Sequence, residues 1–556
     1  MKQLIFILLF GLSSIGSSFS AIEYYFYVQL TDKNETPFSL DNPFEFLSQR
    51  AIDRRAFFGI AVDSTDIPVN QTYAQEIVTN GFRVHNTTKW LNGITVATQD
   101  SISIEILKNL SFVAKIEYTG KAPELVSAVR AEKVCEKTKT NEIIETELRT
   151  SGLYGAAADQ INQIGGMLLH DEANRGEGIY IGVLDAGFFN ADIMPAFELM
   201  RSENRLLGTR DFVNPHSNIF QENSHGSNVL STMASYIENV YIGTAPMASY
   251  WLVRTENTSL EYPMEMDFWV SGIEFLDSLG IDVTNTSLGY RTFDNPALNF
   301  TQTQLDGRTA RMSIAAEMAS QKGIIVVNSA GNDGDKAWRM VGFPADASGI
   351  ITVGGVTASG TASTFSSFGP TADGRIKPEI AARATATALM NNAGAFSGNG
   401  TSFSSPIIAG MMACFLQYAK NHHSNFSVDD LLQFVFRSAN NFELPTDQLG
   451  YGIPNFEKAV EFLQVSSDIS TGKSTYPHPI VIFVDYASQL LHINVNKQVY
   501  GENYVQVFNL KGETEFSQRF TTESISLNIS HLNSGVYAVR IISPEGIATV
   551  EKIVLR

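Results

Sequence analysis

Short apolar runs alternate with amphipathic stretches through the middle of the chain. Strands are predicted where these runs are rich in β-formers, over residues 179–184, 249–254, 282–287, 324–328 and 350–353. Helices are predicted from the amphipathic spacing over residues 160–173, 227–237, 264–279 and 309–321. This alternation predicts an α/β domain over residues 154–466, with a parallel sheet flanked by helices.

Two smaller units are predicted on either side of this domain. Residues 21–120 have the mixed pattern of an α+β unit, with strands over 24–30, 91–97 and 112–118 and helices over 43–58 and 102–110. Residues 476–556 contain six short β-runs separated by turn signals, which predicts a small all-β sandwich.

Two connecting segments differ in composition from the units that they join. Residues 121–153 include the charge-dense run from Glu132 to Glu142, so an exposed processing linker is predicted there. Residues 467–475 are rich in Ser, Thr and Gly and predict a second linker.

A buried element is predicted at the sequence Gly400-Thr-Ser-Phe-Ser-Ser-Pro406. An apolar run over residues 407–415 follows at once, which predicts a buried helix that begins near Ser402 and has Pro406 in its first turn. A lone serine at such a place is most simply a helix cap. The helix N-terminus would also suit a reactive serine, because its backbone donors and dipole stabilise a developing oxyanion.

Composition limits the cellular compartment and the classes of partner expected for the protein. Residues 1–20 have a basic start, a short apolar core and small residues before Ala21, as in a signal peptide. The formal charge of −19 argues against a nucleic-acid partner. Cys135 and Cys414 are the two cysteines, and no disulfide is expected in the mature protein. A secreted monomer is expected.

Three further motifs place polar residues at predicted element ends. Asp185 closes an apolar strand, His225 lies in Ser224-His-Gly226, and Asn332 lies in Asn328-Ser-Ala-Gly-Asn-Asp-Gly334. A serine hydroxyl needs an adjacent base to act as a nucleophile, and a buried carboxylate needs a partner such as an imidazolium.

The motifs around Asp185, His225, Asn332 and Ser402, in this order, resemble those of the subtilisin-like (S8 family) serine peptidases. The resemblance implies a triad of Asp185, His225 and Ser402, with Asn332 as an oxyanion donor. It also implies that substrate contacts come from two segments: Ser287, Leu288, Gly289, Ala330 and Gly331. His225 is followed by Gly-Ser and Asp185 by Ala-Gly, where Gly-Thr and Thr-Gly are commoner in the family.

The flanking units carry weaker resemblances. Residues 21–120 are similar in position and size to the propeptides of these peptidases, with an independent binding module as the alternative. The pieces Tyr476-Pro-His-Pro479, Leu532-Asn-Ser-Gly-Val-Tyr537 and Lys552-Ile-Val-Leu-Arg556 resemble the type A sorting domain of the type IX secretion system. A substrate-binding module is the alternative there.

Together these features predict a secreted or cell-surface serine endopeptidase that is made as an inhibited precursor. It would act on proteins or peptides and be exported through the periplasm and outer membrane by the type IX machinery. The rival hypothesis is a catalytically silent, protease-folded surface protein that binds peptides. No cofactor is expected. Structural calcium is common in the family, but no metal site can be assigned from the carboxylates.

Overall fold

A computed structural model describes residues 21–123, 152–422 and 426–471, and in the C-terminal region residues 480–486, 488–495, 503–509, 514–522, 524–542 and 548–555. The predicted signal peptide, Cys135 and most of the predicted processing linker lie outside the described residues. Among those that are described, no helix combines the length and apolar character needed to cross a bilayer.

The N-terminal unit is a four-stranded antiparallel sheet with two helices. Its elements are β1 (Ile22–Leu30), α1 (Gln49–Phe57), α2 (Gln71–Thr79), β2 (Arg83–Thr88), β3 (Gly93–Thr98) and β4 (Val113–Pro123), and the strand order is β2-β3-β1-β4. The helix predicted over 43–58 begins only at Gln49, because the Ser48 side chain accepts from Ala51 N at 3.1 Å and caps it. The helix predicted over 102–110 is a 3₁₀ segment, Ser103–Asn109.

The central domain begins with short helices and the first strands of a large sheet. In chain order its first half consists of α3 (Ala158–Asn162), α4 (Met167–Asp171), β5 (Tyr180–Asp185), α5 (Glu198–Ser202), β6 (Leu206–Asp211), α6 (His225–Ala234), β7 (Tyr236–Ile237), β8 (Tyr241–Ile242), β9 (Ser249–Arg254) and α7 (Met264–Leu279). Its second half consists of β10 (Val283–Thr286), α8 (Arg311–Gln321), β11 (Ile325–Ser329), β12 (Ile351–Val356), β13 (Ile380–Arg383), β14 (Thr387–Asn391), β15 (Gly394–Gly398), α9 (Thr401–His422), α10 (Val428–Ser438) and α11 (Phe456–Thr471).

Seven of these strands form the predicted parallel sheet. Their order is β13-β12-β11-β10-β5-β9-β6, and every neighbouring pair is parallel. One apolar core lies on the face covered by α6 and α9, and a second lies on the face covered by α7 and α8. The sequence-based fold class is therefore confirmed, because a parallel sheet buried on both faces is what the alternating pattern predicts.

Three predicted element boundaries in and just after the central domain were wrong. The helix predicted over 160–173 is two short helices separated by Gly165 and Gly166, and Gly165 has a positive φ of 62° that ends the first. The helix predicted over 227–237 begins at His225 and ends at Ala234. The predicted linker is helical through Thr471, since α11 continues beyond the buried residues Val460 and Leu463 that anchor it.

The C-terminal region consists of two antiparallel sheets around one core. The three-stranded sheet has the order β16-β17-β20 and the four-stranded sheet the order β19-β18-β21-β22. Their strands are β16 (Ile480–Asp485), β17 (Leu490–Val495), β18 (Asn503–Asn509), β19 (Thr514–Phe520), β20 (Ser524–Asn528), β21 (Gly535–Ile542) and β22 (Ala548–Leu555). Buried residues of both sheets, including Leu491, Val507 and Val539, form a single cluster, which confirms the predicted all-β region.

The N-terminal unit is held on α7 by buried charges. Asp277 is fully buried and accepts from Arg54 Nη2 at 2.5 Å and Arg55 Nη2 at 2.9 Å, and Lys89 Nζ lies 3.3 Å from it. Glu274, one turn earlier, accepts from the backbone N–H of Lys89 at 2.6 Å. Burial alone would raise the pKa of Asp277, but the charges of Lys89, Arg54 and Arg55 outweigh it and hold that pKa below its usual range.

Asp277→Asn should destabilise the attachment of the N-terminal unit, because Arg54 would then be buried without its carboxylate. Breaking a buried ion pair from one side costs about 3–5 kcal/mol. The measurement is chemical denaturation of the full-length variants, each compared with the unsubstituted full-length chain. Glu105→Gln is the matched control, because the Glu105–Lys108 pair is exposed and its loss should cost less than about 1 kcal/mol. Equal effects of the two substitutions would contradict the role given to Asp277.

Candidate active site

Asp185 and His225 form a hydrogen-bonded pair at the carboxyl edge of the sheet. Asp185 is the last residue of β5 and is fully buried, and His225 is the first residue of α6. The His225 Nδ1 and Asp185 Oδ1 atoms lie 2.7 Å apart, and Ala186 N donates to the same oxygen at 2.8 Å. Asp185 Oδ2 is buried and has no hydrogen-bond partner within the described part of the chain.

The carboxylate controls the protonation of the imidazole. Burial of the ring lowers the pKa of His225, but the Asp185 charge and hydrogen bond outweigh this effect, so the pKa is raised above its ordinary value. The His225 side chain is still 31% exposed, so it can be reached from the cleft.

A glycine explains how the two side chains come together. Gly226 N donates to Gly187 O at 3.0 Å, and a Cβ on Gly226 would lie 2.3 Å from that same oxygen. A side chain at this position would therefore push α6 away from the loop that follows β5. This close backbone approach requires glycine at the position after His225.

Ser402 is the second residue of α9 and is 9% exposed. Its Oγ donates to Ser287 O at 3.4 Å, and its own carbonyl accepts from Ser287 Oγ at 2.8 Å. Within residues 152–422, no hydrogen bond joins Ser402 Oγ to the His225 ring. That ring lies beside the next residue, with its centroid 6.1 Å from that of Phe403.

Pro406 lies in the second turn of α9, not in the first turn as predicted, because the helix already begins at Thr401. Proline has no N–H, so it cannot donate to the Ser402 carbonyl four residues earlier. Ser287 Oγ supplies the missing donor. The hydrogen bond from Ser287 Oγ to the Ser402 carbonyl thus links the start of α9 to the residue after β10.

Asn332 follows β11 and points toward the start of α9. Its Oδ1 accepts from Thr401 N at 2.9 Å and from Thr401 Oγ1 at 3.0 Å. A backbone N–H must meet an oxygen, so this contact fixes which end of the amide carries the donors. Asn332 Nδ2 is turned toward Gly400, where an added Cβ would lie 3.6 Å from it.

A cavity of about 170 Å³ lies beside Ser402 and Asn332. The structure brings all five predicted substrate-contact residues into its wall: Ser287, Leu288, Gly289, Ala330 and Gly331. Three charged residues, Arg291, Asp333 and Lys336, also line it. The sequence prediction missed Arg291 and Lys336, which lie just beyond the quoted motifs.

A second acid, Glu256, lies close enough to the Asp185–His225 pair to affect its charge. Burial and the Asp185 charge raise the pKa of Glu256 to about 7. Sequence reasoning missed it. Its position in the sequence could have indicated it. Glu256 lies two residues after β9, and β9 ends beside β5 because Arg254 pairs with Asp185 in the parallel register.

Two other observations concern metals and thiols. Over the part of the chain that the structure describes, no group of three His, Cys, Asp or Glu side chains is placed to hold a metal ion. Cys414 is a free, buried thiol in α9 whose Sγ lies 3.1 Å from Thr244 O.

A buried carboxylate on an imidazole, a hydroxyl at a helix N-terminus and an oriented amide are the groups of a serine hydrolase site on an α/β fold. The chain belongs to the subtilase family, whose sequence pattern matches residues 176–453, half of the chain. The predicted resemblance to this family is confirmed.

Known subtilisins share the central domain. Subtilisin NAT from Bacillus subtilis subsp. natto and subtilisin E from Bacillus subtilis (strain 168) are each 29% identical over 259 residues, which is 46% of this chain and 60% of each relative. The chain thus matches less than two thirds of the length of these relatives. A solved mutant of the protease domain of PatA covers 52% of this chain and 96% of its own, at 20% identity and a TM-score of 0.41.

The flanking units match families of their own. Residues 25–137 match the peptidase S8 propeptide domain of Bacteroidota, and residues 476–556 match a secretion system C-terminal sorting domain. Both resemblances predicted from the sequence are confirmed. The sorting domain indicates export by the type IX route, either to the medium or to the cell surface.

Ser287→Ala should destabilise the central domain, because the buried Ser402 carbonyl would lose the hydrogen bond from Ser287 Oγ. An unsatisfied buried acceptor costs about 1–3 kcal/mol. In a Pro406→Ala background the same substitution should cost less, since the alanine introduced there has an N–H that can donate to that carbonyl.

The measurement is a double-mutant cycle by chemical denaturation, on chains that carry Ser402→Ala. Additive effects of Ser287→Ala and Pro406→Ala would show that the two positions do not share an acceptor.

Proposed function

We propose that the protein is a secreted serine endopeptidase that hydrolyses peptide bonds through Asp185, His225 and Ser402, with an acyl-enzyme intermediate. The observation that carries this proposal is the 2.7 Å pair of Asp185 and His225, with the imidazole beside the start of α9, where Ser402 is the second residue. Family membership supports it, since the relatives named above are subtilisins.

The first half-reaction forms an ester. His225 removes the proton from Ser402 Oγ as that oxygen attacks the substrate carbonyl carbon. The resulting oxyanion accepts hydrogen bonds from Asn332 Nδ2 and from the Ser402 N–H, which lies in the first turn of α9, where backbone donors lack helical acceptors. The C–N bond then breaks, and the amine leaves with the proton from His225.

The second half-reaction reverses these roles with water as the nucleophile. His225 takes a proton from water, the hydroxide attacks the ester carbon, and Ser402 Oγ leaves with the proton. Asp185 keeps the ring oriented through Nδ1 and stabilises the imidazolium that forms in both halves. The proposed steps use protein groups and water and need no cofactor.

The hydrogen bond from Ser402 Oγ to Ser287 O is compatible with this sequence of steps. Contacts between catalytic groups are often long before substrate is bound and shorten in the complex. An extended substrate would lie along Ser287–Gly289 and pair through its main chain, with one side chain entering the adjacent cavity.

The N-terminal unit is proposed to inhibit the precursor until the chain is cut within residues 121–153. The match to a propeptide domain and the buried contacts of Asp277 support this order of events. The type IX machinery is the proposed partner of the C-terminal domain.

Reaction with a fluorophosphonate tests the nucleophile. Wild type should be labelled and should lose its N-terminal unit, whereas Ser402→Ala should be unlabelled and keep residues 21 to about 150 in a host without related proteases. Intact-mass spectrometry distinguishes the two. An unlabelled wild-type protein would favour the catalytically silent binding protein, and normal trimming of Ser402→Ala would mean that another enzyme does the processing.

The pH profile tests the base. Only the neutral imidazole can accept the Ser402 proton, so kcat/KM should fall as pH drops through the pKa of His225. Because Asp185 raises that pKa, the fall should be centred above the ordinary histidine value of about 6.5.

Glu256→Gln is the matched probe of this profile. It removes a carboxylate that raises the pKa of His225 and leaves the hydrogen bond to Asp185 in place, so the acid limb should move to lower pH while activity is retained. A profile that stays flat down to about pH 4 would exclude a histidine base.

A further inference from the structure

The cavity beside Ser402 has one charged wall, formed by Arg291, Asp333 and Lys336. Arg291 Nη2 donates to Asp333 Oδ1 at 2.7 Å, and Lys336 Nζ lies 3.4 Å from the same oxygen. The Asp333 side chain is 4% exposed, against 27% for Arg291 and 60% for Lys336. The carboxylate is thus the buried part of the wall, and the two cations are its more exposed part.

The wall carries a net charge of one positive unit. Asp333 is the single acid among the residues that line the cavity, and both cations already share one of its oxygens. The other lining residues have no charge: Ser287, Leu288, Gly289, Ser329, Ala330, Gly331, Asn332, Gly342, Ala345 and Ser402. A side chain that enters the cavity therefore meets a positive wall on a protein whose formal net charge is −19.

A further acid, Glu261, interacts electrostatically with Arg291. Glu261 lies outside the cavity lining, and burial together with the Glu256 charge raises its pKa to about 7 in spite of Arg291. Near neutral pH it is only partly ionised, so it does not cancel the charge of the wall.

We infer that this wall makes the cavity selective for substrates with glutamate or aspartate at P1, the residue whose carbonyl is attacked, over lysine or arginine. The inference rests on the proposed function, because the P1 side chain enters this cavity when the P1 carbonyl lies between Ser402 Oγ and Asn332 Nδ2. A P1 carboxylate accepts charge-assisted hydrogen bonds from Arg291 and Lys336. A P1 ammonium faces the same two cations and finds Asp333 already paired.

The test compares kcat/KM of the mature enzyme on one peptide series that differs only at P1: Glu, Gln, Leu and Lys. Wild type should cleave the Glu peptide about tenfold to a hundredfold better than the Lys peptide, the range that pocket contacts usually supply. Lys336→Glu changes the wall from one positive to one negative charge, so the Glu-to-Lys ratio should fall by at least about tenfold. Lys336→Gln should give an intermediate ratio.

Lys458→Glu is the matched control. Lys458 is an exposed lysine of α11 outside the cavity lining, and the substitution makes the same change in net charge. Its Glu-to-Lys ratio should equal that of wild type.

The two proposals fail in different ways. Two outcomes would overturn the P1 inference and leave the proposed peptidase activity intact. One is efficient cleavage of the Leu peptide with a Glu-to-Lys ratio at or below one, and the other is a ratio that Lys336→Glu does not change. A shift of the same size in Lys458→Glu would assign the effect to overall charge and also overturn it. Failure to cleave any peptide in the series would overturn the proposed function and this inference with it.

Discussion

The position of the candidate site depends on the burial of one helix. Every residue of α9 from Thr401 to Ala419 is buried, with β10, β11, β12 and β13 on one side and α6 on another. Such a helix cannot slide or rotate without opening the core, and the loss of even one buried methylene from a core lowers stability. Its N-terminus is therefore a fixed point. The parallel sheet brings the carboxyl ends of β5, β10 and β11 to the same edge, so Asp185, Ser287 and Asn332 arrive there through strand direction alone.

Hydrogen bonds to backbone groups in the first turn of α9 position several side chains of the candidate site. Pro406 has no N–H to donate to the Ser402 carbonyl, and Ser287 Oγ donates to that carbonyl. The donor of Thr401 at the helix start is satisfied by Asn332 Oδ1, which leaves the amide Nδ2 directed toward Gly400. Each contact satisfies a group that would otherwise be buried without a partner, and also sets the place of a proposed catalytic atom. The side chains of this site are thus oriented by the same hydrogen bonds that satisfy backbone donors and acceptors.

The sequence predicted the parts of the molecule that depend on local pattern. Asp185, His225, Asn332 and Ser402 lie at element ends within short motifs, and the structure brings their segments to one edge. The edge strands β6 and β13 were missed, because one ends in Thr209-Arg-Asp211 and the other is only four residues long, so neither has a long apolar run. Arg291 and Lys336 were missed for another reason. The contact of Arg291 with Asp333 joins two loops that are distant along the chain, whereas Lys336 pairs with Asp333 within one loop, just beyond the quoted motif.

The charges at Asp277 and at the cavity wall show two uses of the same interaction. Around Asp277 the ion pairs are dry, and such pairs add little net stability because desolvation offsets their attraction. They do penalise every arrangement that leaves one charge unpaired, so they select a single orientation of the N-terminal unit on α7. In the proposed maturation, departure of that unit would remove the partners of Glu274 and Asp277 and let water reach both carboxylates, which offsets the cost of having buried them. A propeptide can therefore be held in one orientation without being held irreversibly. At the cavity wall Lys336 is 60% exposed, so its charge does not fix the fold, and in the proposed specificity it would act on the substrate side chain.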